Sequence, residues 1–291
     1  MDDILISIII PTYKDWDSLR LTLDAIQNQK KIDPSLIEVL VVDNDPDSVF
    51  PEDFTLSQNI KILKELKKGA YASRNKGLKV AKGKIIVFTD SDCIPEPNWL
   101  ENGVRLLQDG ADMVGGKMIF FKSPEGDEET YLFEKIFSFN QKRNVLQNQQ
   151  SITANLFVTS EVVQSVGEFE ENLLSGGDFL WTKKATSQGF KLVYGEDVVV
   201  NHPARLHFES LIKKKKRTSG GMYFKFFKGF SFFKKLKFTL HILRPPITIF
   251  TFPKLTFSQK LKLFRMRWYL EWVGVKELLK LTLTKKQAER S

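Results

Sequence analysis

Short apolar runs alternate with amphipathic stretches over the first hundred positions. Ile4 to Ile10 is almost continuously apolar and rich in β-branched residues, and Pro11-Thr12-Tyr13 closes it. Such a run reads as a strand buried on both faces. From Asp15 the period changes, and Trp16, Leu19, Leu23 and Ile26 recur at the spacing of one helix face. Ile37 to Val42 predicts a second strand, ending in Asp43-Asn44-Asp45-Pro46, and Ile60 to Leu63 a third. Gly69 leads into a predicted helix from about Ala70 to Ala81, with Arg74 and Asn75 on its exposed side. Ile85 to Phe88 is a further strand, after which Pro95 and Pro97 are expected to stop pairing. This alternation argues for an α/β fold with a mostly parallel central sheet and helices on its faces.

The later pattern is sparser. Asp112 to Phe121 predicts a strand whose Gly115-Gly116 allows close approach, and residues 123–151 are polar and weakly patterned. An amphipathic helix is predicted from Asp178 through Leu180 and Trp181 to Gly189. Lys191–Tyr194 and Val198–Val200 read as two strands, with Gly195-Glu196-Asp197 as the turn between them. After Arg205 the character changes to basic and aromatic. Tyr223, Phe226, Phe227, Phe230 and Phe233 are predicted to share one helical face. Pro245-Pro246 interrupts, and a last helix would align Leu261, Phe264, Trp268, Trp272, Val275 and Leu279.

Charge sharpens this division. Residues 203–291 carry 22 Lys and Arg against 4 Asp and Glu, a net of +18, while residues 1–202 carry 22 against 31. The tail also holds 12 of the 24 Phe residues. An acidic body over 1–208 and a basic helical extension over 209–291 are expected to do different work. The single cysteine, Cys93, excludes an internal disulfide framework and suits a reducing cytoplasm. Ile4 to Ile10 is too short to span a bilayer, and Asp2 and Asp3 precede it where a signal peptide would carry positive charge.

Chemistry gathers at three strand ends: Thr12-Tyr13, Asp43-Asn44 and Asp90-Ser91-Asp92. Two carboxylates two residues apart on a rigid strand end suit Mg²⁺ or Mn²⁺ carrying phosphates. They could equally cap the helix that begins near Pro97. Asp43 to Asp47 could be a turn alone, and Arg74 a solvated helix charge. No phosphate-binding glycine loop follows the first strand, so neither a dinucleotide fold nor a P-loop is indicated. His202 is either a structural histidine or a metal or diphosphate contact.

Four ordered motifs resemble the family 2 glycosyltransferases. They are Ile8-Ile9-Ile10-Pro11-Thr12-Tyr13, Val41-Val42-Asp43-Asn44, Gly69 with Ala72-Ser73-Arg74-Asn75-Lys76-Gly77, and Phe88-Thr89-Asp90-Ser91-Asp92. The resemblance covers roughly residues 4–208. It implies a GT-A-type fold and inverting transfer from a nucleotide-diphospho-sugar. It makes Pro11, Thr12, Tyr13, Asp43, Arg74, Asp90 and Ser91 donor-binding candidates, with Asp90, Asp92 and His202 around Mg²⁺ or Mn²⁺. Thr153-Ala154-Asn155 and Val166-Gly167-Glu168-Phe169 resemble two further family segments. In Leu174-Ser175-Gly176-Gly177-Asp178, Asp178 matches the family's general base, although Gly177 stands where Glu is usual. Asp178 is favoured over Asp197, which lacks a following helix.

Processive members of such a family usually carry Gln-x-x-Arg-Trp. Arg267-Trp268 is present here, but Phe264 occupies the Gln position, which favours transfer of a single sugar. The implied acceptor is a glycan or lipid-linked glycan, as in bacterial surface polysaccharide assembly. A sugar-1-phosphate nucleotidyltransferase would need a glycine-rich, lysine-bearing N-terminal loop, which is absent. A sugar-nucleotide-binding scaffold without chemistry is the non-enzyme alternative. Basic helices with aromatic faces suit the cytoplasmic face of an anionic membrane, as a peripheral contact. Packing of those faces on the body or on a second subunit is the other reading. Nucleic acid is not expected as a partner.

Overall fold

Ile6–Thr12 forms strand β1 of a computed structural model that describes residues 5–284 except 50, 52, 53, 55, 139 and 174. Ile4, Leu174 and the last seven positions of the tail therefore lie outside the described residues. All seven side chains of β1 are buried, because it pairs in parallel with β2 (Ile37–Asp43) on one side and with a strand from Ile85–Thr89 on the other. The helix between β1 and β2 is α1 (Trp16–Gln27). Next come β3 (Ile60–Lys64), α2 (Ala70–Leu78), β4 (Ile85–Thr89), β5 (Ile94–Pro95) and α3 (Trp99–Gln108). The remaining elements are β6 (Met113–Phe121), α4 (Glu128–Phe137), α5 (Gln141–Asn148), β7 (Asn155–Thr159), α6 (Ser160–Val166), α7 (Gly177–Ser187) and β8 (Leu192–Pro203). Helices α8 (Phe208–Lys225), α9 (Phe232–Ile242) and α10 (Phe257–Thr284) follow.

The chain divides into two units, residues 1–120, 139–171 and 177–203 in the first, and 121–138, 172–176 and 204–291 in the second. The first unit holds one sheet in the order β3-β2-β1-β4-β7-β6-β8-β5. Pairing is parallel from β3 to β4 and antiparallel at β4–β7, β6–β7 and β5–β8. The sheet is therefore mixed rather than mostly parallel. Strands after β4 need no helical crossover when they reverse direction, so the regular alternation that announces parallel pairing ends there.

Alternate side chains of each central strand serve opposite faces. Ile8, Ile10, Val39 and Val87 share a core with Leu19 and Leu23 of α1 and Trp99 and Leu100 of α3. On the other face, a Cβ at Gly77 of α2 would lie 2.6 Å from Ile9, so α2 can approach β1 only with glycine there. Phe88 meets Phe169 and Trp181 edge-on at 5.4 and 6.4 Å on that same face. The chain winds outward from β1 to β2 and β3, then returns through α2 to β4 on the far side of β1. The direction of winding thus reverses between the ends of β1 and β4, where α/β sheets bind ligands.

Three local expectations are corrected in this unit. Arg74 and Asn75 are buried, at 4% and 0% exposure, rather than solvated. Asn75 is satisfied internally, donating to Phe169 O and Glu171 Oε1 and accepting from Phe169 N–H. Pro95 does not end pairing, because β5 is the edge strand and a missing N–H is tolerated there. Asp197 is not in a turn: β8 runs unbroken from Leu192 to Pro203, with Glu196 and Asp197 exposed within it and Glu196 paired to Lys117 and Lys142.

The second unit begins at Ala204 and takes in residues 121–138, which the sequence pattern places in the body. Phe133 of α4 is the reason, since it is buried with Leu211, Ile249, Leu263 and Leu270. The aromatic run does not form one helical face. Helix α8 ends at Lys225, and Phe226 leaves the helix with φ −154°. Phe226, Phe227 and Phe230 then fold back with Phe238 onto Leu278 and Leu281, while Phe233 stays exposed. The face of α10 also differs from expectation. Its buried positions are Leu263, Leu270, Gly274, Val275, Glu277, Leu278 and Leu281, whereas Leu261, Trp272 and Leu279 are exposed. Small residues decide this: Gly274 meets Ser219 and the Lys215 stem of α8, so the close helix contact forms there and not along the bulky stripe.

Candidate active site

Register places the three strand ends together. Thr12 is paired with Asp43 across β1 and β2, and Asp43 in turn with Lys64 of β3. Asp43 is buried, accepts from Asp45 N–H at 2.9 Å and from Lys64 Nζ at 3.1 Å, and is also held by the Ser48 hydroxyl. Asn44 fastens the loop before α2. Its amide donates to Glu65 O and Lys67 O, and its oxygen accepts from Gly69 N–H at 2.6 Å. Pro11 and Thr12 are buried in β1, whereas Tyr13 is exposed with Lys14 over its ring.

The end of β4 carries the acidic pair. Arg74 Nη2 donates to Asp90 Oδ1 at 2.5 Å. Ser91 is turned the other way, donating to Asp15 Oδ2 while its carbonyl accepts from Thr22. Asp92 lies 3.6 Å from His202 Nε2. The β5–β8 register explains that meeting: Ile94 pairs with Asn201, so one step back Cys93 stands opposite His202. The His202 Nδ1 lies 2.7 Å from Pro203 O, which can only accept, so Nδ1 carries the proton. Burial raises the Asp92 carboxyl above its ordinary value, as do Asp90 and Asp15, while His202 opposes this.

Ligand atoms of Asp92, Cys93 and His202 lie within 4.8 Å of one another. Burial, with Asp90 and Asp92 nearby, pushes the Cys93 thiol well up. The carboxylate oxygen of Asp92 and the imidazole nitrogen of His202 are a donor pair that fits Mn²⁺ or a similar oxygen-and-nitrogen-binding divalent cation. Among the described residues, two buried side-chain polar atoms have no partner, Thr12 Oγ1 and Arg74 Nε. Both belong to this group of residues. Buried polar atoms are otherwise nearly always paired, so each orphan marks a place where a polar ligand fits.

Asp178, at the first turn of α7, joins the same constellation through Tyr71 of α2. The Tyr71 hydroxyl donates to Asp178 Oδ1 at 3.3 Å, its ring lies 5.9 Å from the Arg74 guanidinium, and Arg74 reaches Asp90. Burial raises the Asp178 carboxyl, against the lowering effects of Phe179 N–H, Arg74 and Tyr71. A Cβ at Gly177 would lie 2.8 Å from the Tyr71 ring, which accounts for glycine where the resemblance leads to Glu. Asp197 has a different setting, exposed in β8 with its carbonyl accepting from Asn102. Tyr71, Ser48 and Lys64 were not legible as site residues. Tyr71 stands three before Arg74 and so shares its helix face, a signal that helical spacing could have raised.

The model of the family described as Glycosyl transferase family 2 matches residues 7–161. Among curated relatives, "Glycosyltransferase AglE" of Haloferax volcanii is 37% identical over 222 residues, covering 74% of this chain and 72% of that protein. The Escherichia coli protein named UDP-Glc:alpha-D-GlcNAc-diphosphoundecaprenol beta-1,3-glucosyltransferase WfgD is 36% identical over 110 residues, 37% of this chain and 42% of that one. Among solved structures, a mannosyltransferase from Pyrobaculum calidifontis in complex with GDP-Man and Mn²⁺ superposes with a TM-score of 0.58. It is 18% identical and the match covers 97% of this chain and 87% of that one, a likeness of fold.

Proposed function

The chain belongs to glycosyl transferase family 2, and from that membership we propose that it is an inverting, metal-dependent enzyme transferring one sugar from a nucleotide-diphospho-sugar to a glycan or lipid-linked glycan hydroxyl. The observation that carries the donor assignment is that Thr12 Oγ1, at the end of β1, and Arg74 Nε, of the side chain that reaches Asp90 after β4, are both buried without partners. Thr12, Asp43 and Ser48 line the nucleoside side. Arg74 is charged, buried and already oriented by Asp90, which suits a diphosphate. Asp92 and His202 would hold Mn²⁺ or Mg²⁺, with Asp90 beside them. A bound cation supplies charge neutralisation at the leaving diphosphate.

Inversion needs one carboxylate on the side of the sugar away from the departing nucleotide. Asp178 fills that role in this reading. Its Oδ2 takes the acceptor hydroxyl proton as the acceptor oxygen bonds to the anomeric carbon. The carbon–oxygen bond to the diphosphate breaks, and its electron pair leaves with the diphosphate. A lipid-linked acceptor is supported by the Escherichia coli relative, whose name specifies a diphosphoundecaprenol substrate. No described helix is long and apolar enough to cross a membrane. A surface contact is supported by the second unit, which leaves Phe232, Phe233, Leu236 and Leu240 of α9 exposed among lysines.

The test incubates the full chain and Mn²⁺ with UDP-glucose, UDP-N-acetylglucosamine and GDP-mannose, and measures nucleoside diphosphate and melting temperature. Release of the diphosphate, stimulated by cation, is the expected result. Stabilisation by a nucleotide sugar without any release would favour the scaffold reading. Formation of a nucleoside triphosphate from sugar nucleotide and pyrophosphate would favour a nucleotidyltransferase.

A further inference from the structure

The Tyr71 hydroxyl stands between the backbone of residue 177 and the carboxylate of residue 178. It accepts from Gly177 N–H at 2.8 Å and lies 3.3 Å from Asp178 Oδ1. A backbone N–H can only donate, so the hydroxyl's own proton is the one available to the carboxylate. Phe179 N–H reaches the same oxygen at 2.9 Å. Two donors therefore converge on Oδ1. The ring that carries the hydroxyl is itself fixed. It stacks on Phe169 at 5.9 Å with an interplanar angle of 18°, and Phe169 stacks in turn on Trp181 of α7 at 5.0 Å. Gly177 closes the other side, since a Cβ there would press on the ring.

We infer that Tyr71 is a positioning residue for Asp178, holding Oδ1 so that Oδ2 is the oxygen that accepts the proton. This rests on the reading of Asp178 as the general base. A hydrogen bond to a carboxylate favours its charged form, so the same contact keeps Asp178 ready to accept. The charged and titratable groups facing Asp178 are Tyr71 and Arg74 from α2 and Asp90 from the end of β4. Tyr71 and Arg74 favour the carboxylate, and Asp90 opposes it.

The deciding experiment follows the carboxyl ¹³C resonances of the aspartate-labelled full chain through pH, with Asp178 assigned as the resonance missing from Asp178→Asn. In Tyr71→Phe the Asp178 midpoint is expected to rise by about one pH unit, the equivalent of one hydrogen bond to a charged group. The melting temperature should fall modestly, because the change also leaves the buried Gly177 N–H without its acceptor. In nucleoside-diphosphate release from UDP-glucose and GDP-mannose, the acid limb should move up by the same amount, with a roughly 10-fold lower rate below it. An unmoved midpoint overturns the inference. Should Tyr71→Phe fail to fold, Gly177→Ala keeps the hydroxyl but displaces its ring, and the same rise is expected; an unmoved midpoint there is equally decisive. Asp178→Asn separates the two layers. If that variant keeps full turnover, the base assignment is lost, while the titration still decides whether Tyr71 holds Asp178.

Discussion

Arg74 donates to Asp90 across 2.5 Å, from a guanidinium that is almost wholly buried. The contact divides the labour of the two acids at the end of β4. Asp90 is turned toward α2 and the cation on Arg74, while Asp92 is turned toward β8 and His202. One acid therefore orients the fixed positive charge that would face a diphosphate, and the other faces the site proposed for a divalent cation.

From that division, Asp92→Asn should separate metal from nucleotide. UDP or GDP, whichever raises the melting temperature of the parent, should still stabilise the variant without metal. The further increment given by Mn²⁺ should vanish, along with cation-stimulated turnover. Asp92→Asn protein whose Mn²⁺ increment matches the parent's would end the assignment of Asp92 as a ligand.

The two candidate bases make a second comparison. Asp178→Asn keeps the shape and the Phe179 N–H contact but cannot accept a proton. Transfer should fall by about 10²–10⁴-fold while donor stabilisation survives. Asp197→Asn should stay close to the parent, because that side chain is exposed in β8. Since burial raises the Asp178 carboxyl, activity should fall as the pH drops through its raised value, where the carboxylate becomes protonated. The reverse pattern between the two variants would move the base to Asp197.

Much of the first unit was legible because β1, β2 and β4 are buried on both faces, so runs such as Ile6–Ile10 and Ile85–Phe88 stand out without neighbours being known. The strand-end chemistry followed from those runs. What escaped depended on partners distant in sequence. Arg74 looked solvated because nothing local tells which side of α2 faces Asp90, sixteen residues later. Pro95 looked like a stop because its edge position is a property of the sheet order. In the second unit, apolar residues surround α9 and α10 on several sides. Periodicity then cannot choose the packed face, and a small residue, Gly274, chose it instead.

Glu134 offers a stability test inside the second unit. It is fully buried, with Arg205 Nη1 at 2.7 Å and Lys214 Nζ at 3.0 Å. Burial alone would raise its carboxyl, but Lys214 and Arg205 outweigh that and hold it at about 2. Burial and Arg205 meanwhile bring Lys214 down to about 8, with Glu134 opposing. The folded value of Glu134 is below its ordinary 4.5, so its contribution is complete above that pH and is lost as pH falls toward about 2. Lys214 acts with the opposite sign, a penalty that fades as pH rises from about 8 toward its ordinary 10.5. Glu134→Gln takes the buried carboxylate away from two partly buried cations, Arg205 and Lys214, and should cost about 3 kcal/mol near neutral pH. Denaturant titrations should show that gap narrowing as pH falls below 4.5. A constant gap would mean that lost packing, and not charge, accounts for the change.

The outward face of α9 carries the last prediction. Helices on a protein surface normally turn charged residues outward, and α9 does so only in part. Phe238 and Ile242 pack inward with Phe226, Phe227 and Phe230, yet Phe232 and Phe233 are 73% and 79% exposed, with Leu236 and Leu240 on the same side. Lys234 and Lys237 lie among them, within a segment whose net charge is +18. Each cation near an anionic leaflet contributes about 1 kcal/mol, and salt screens that attraction over about 10 Å at 0.1 M. Charge alone would thus give binding that salt abolishes. Burying two phenylalanines adds about 1.5–3 kcal/mol each, which salt does not remove. Full-length protein is therefore expected to co-sediment with anionic vesicles at low salt and to be retained in part at high salt. Phe232→Ser with Phe233→Ser should remove the salt-resistant fraction and leave the melting temperature unchanged, since both side chains are largely exposed. Should the same pair of changes instead convert a dimer to a monomer, with no vesicle binding in either protein, the face belongs to a second copy of the chain and the membrane assignment fails.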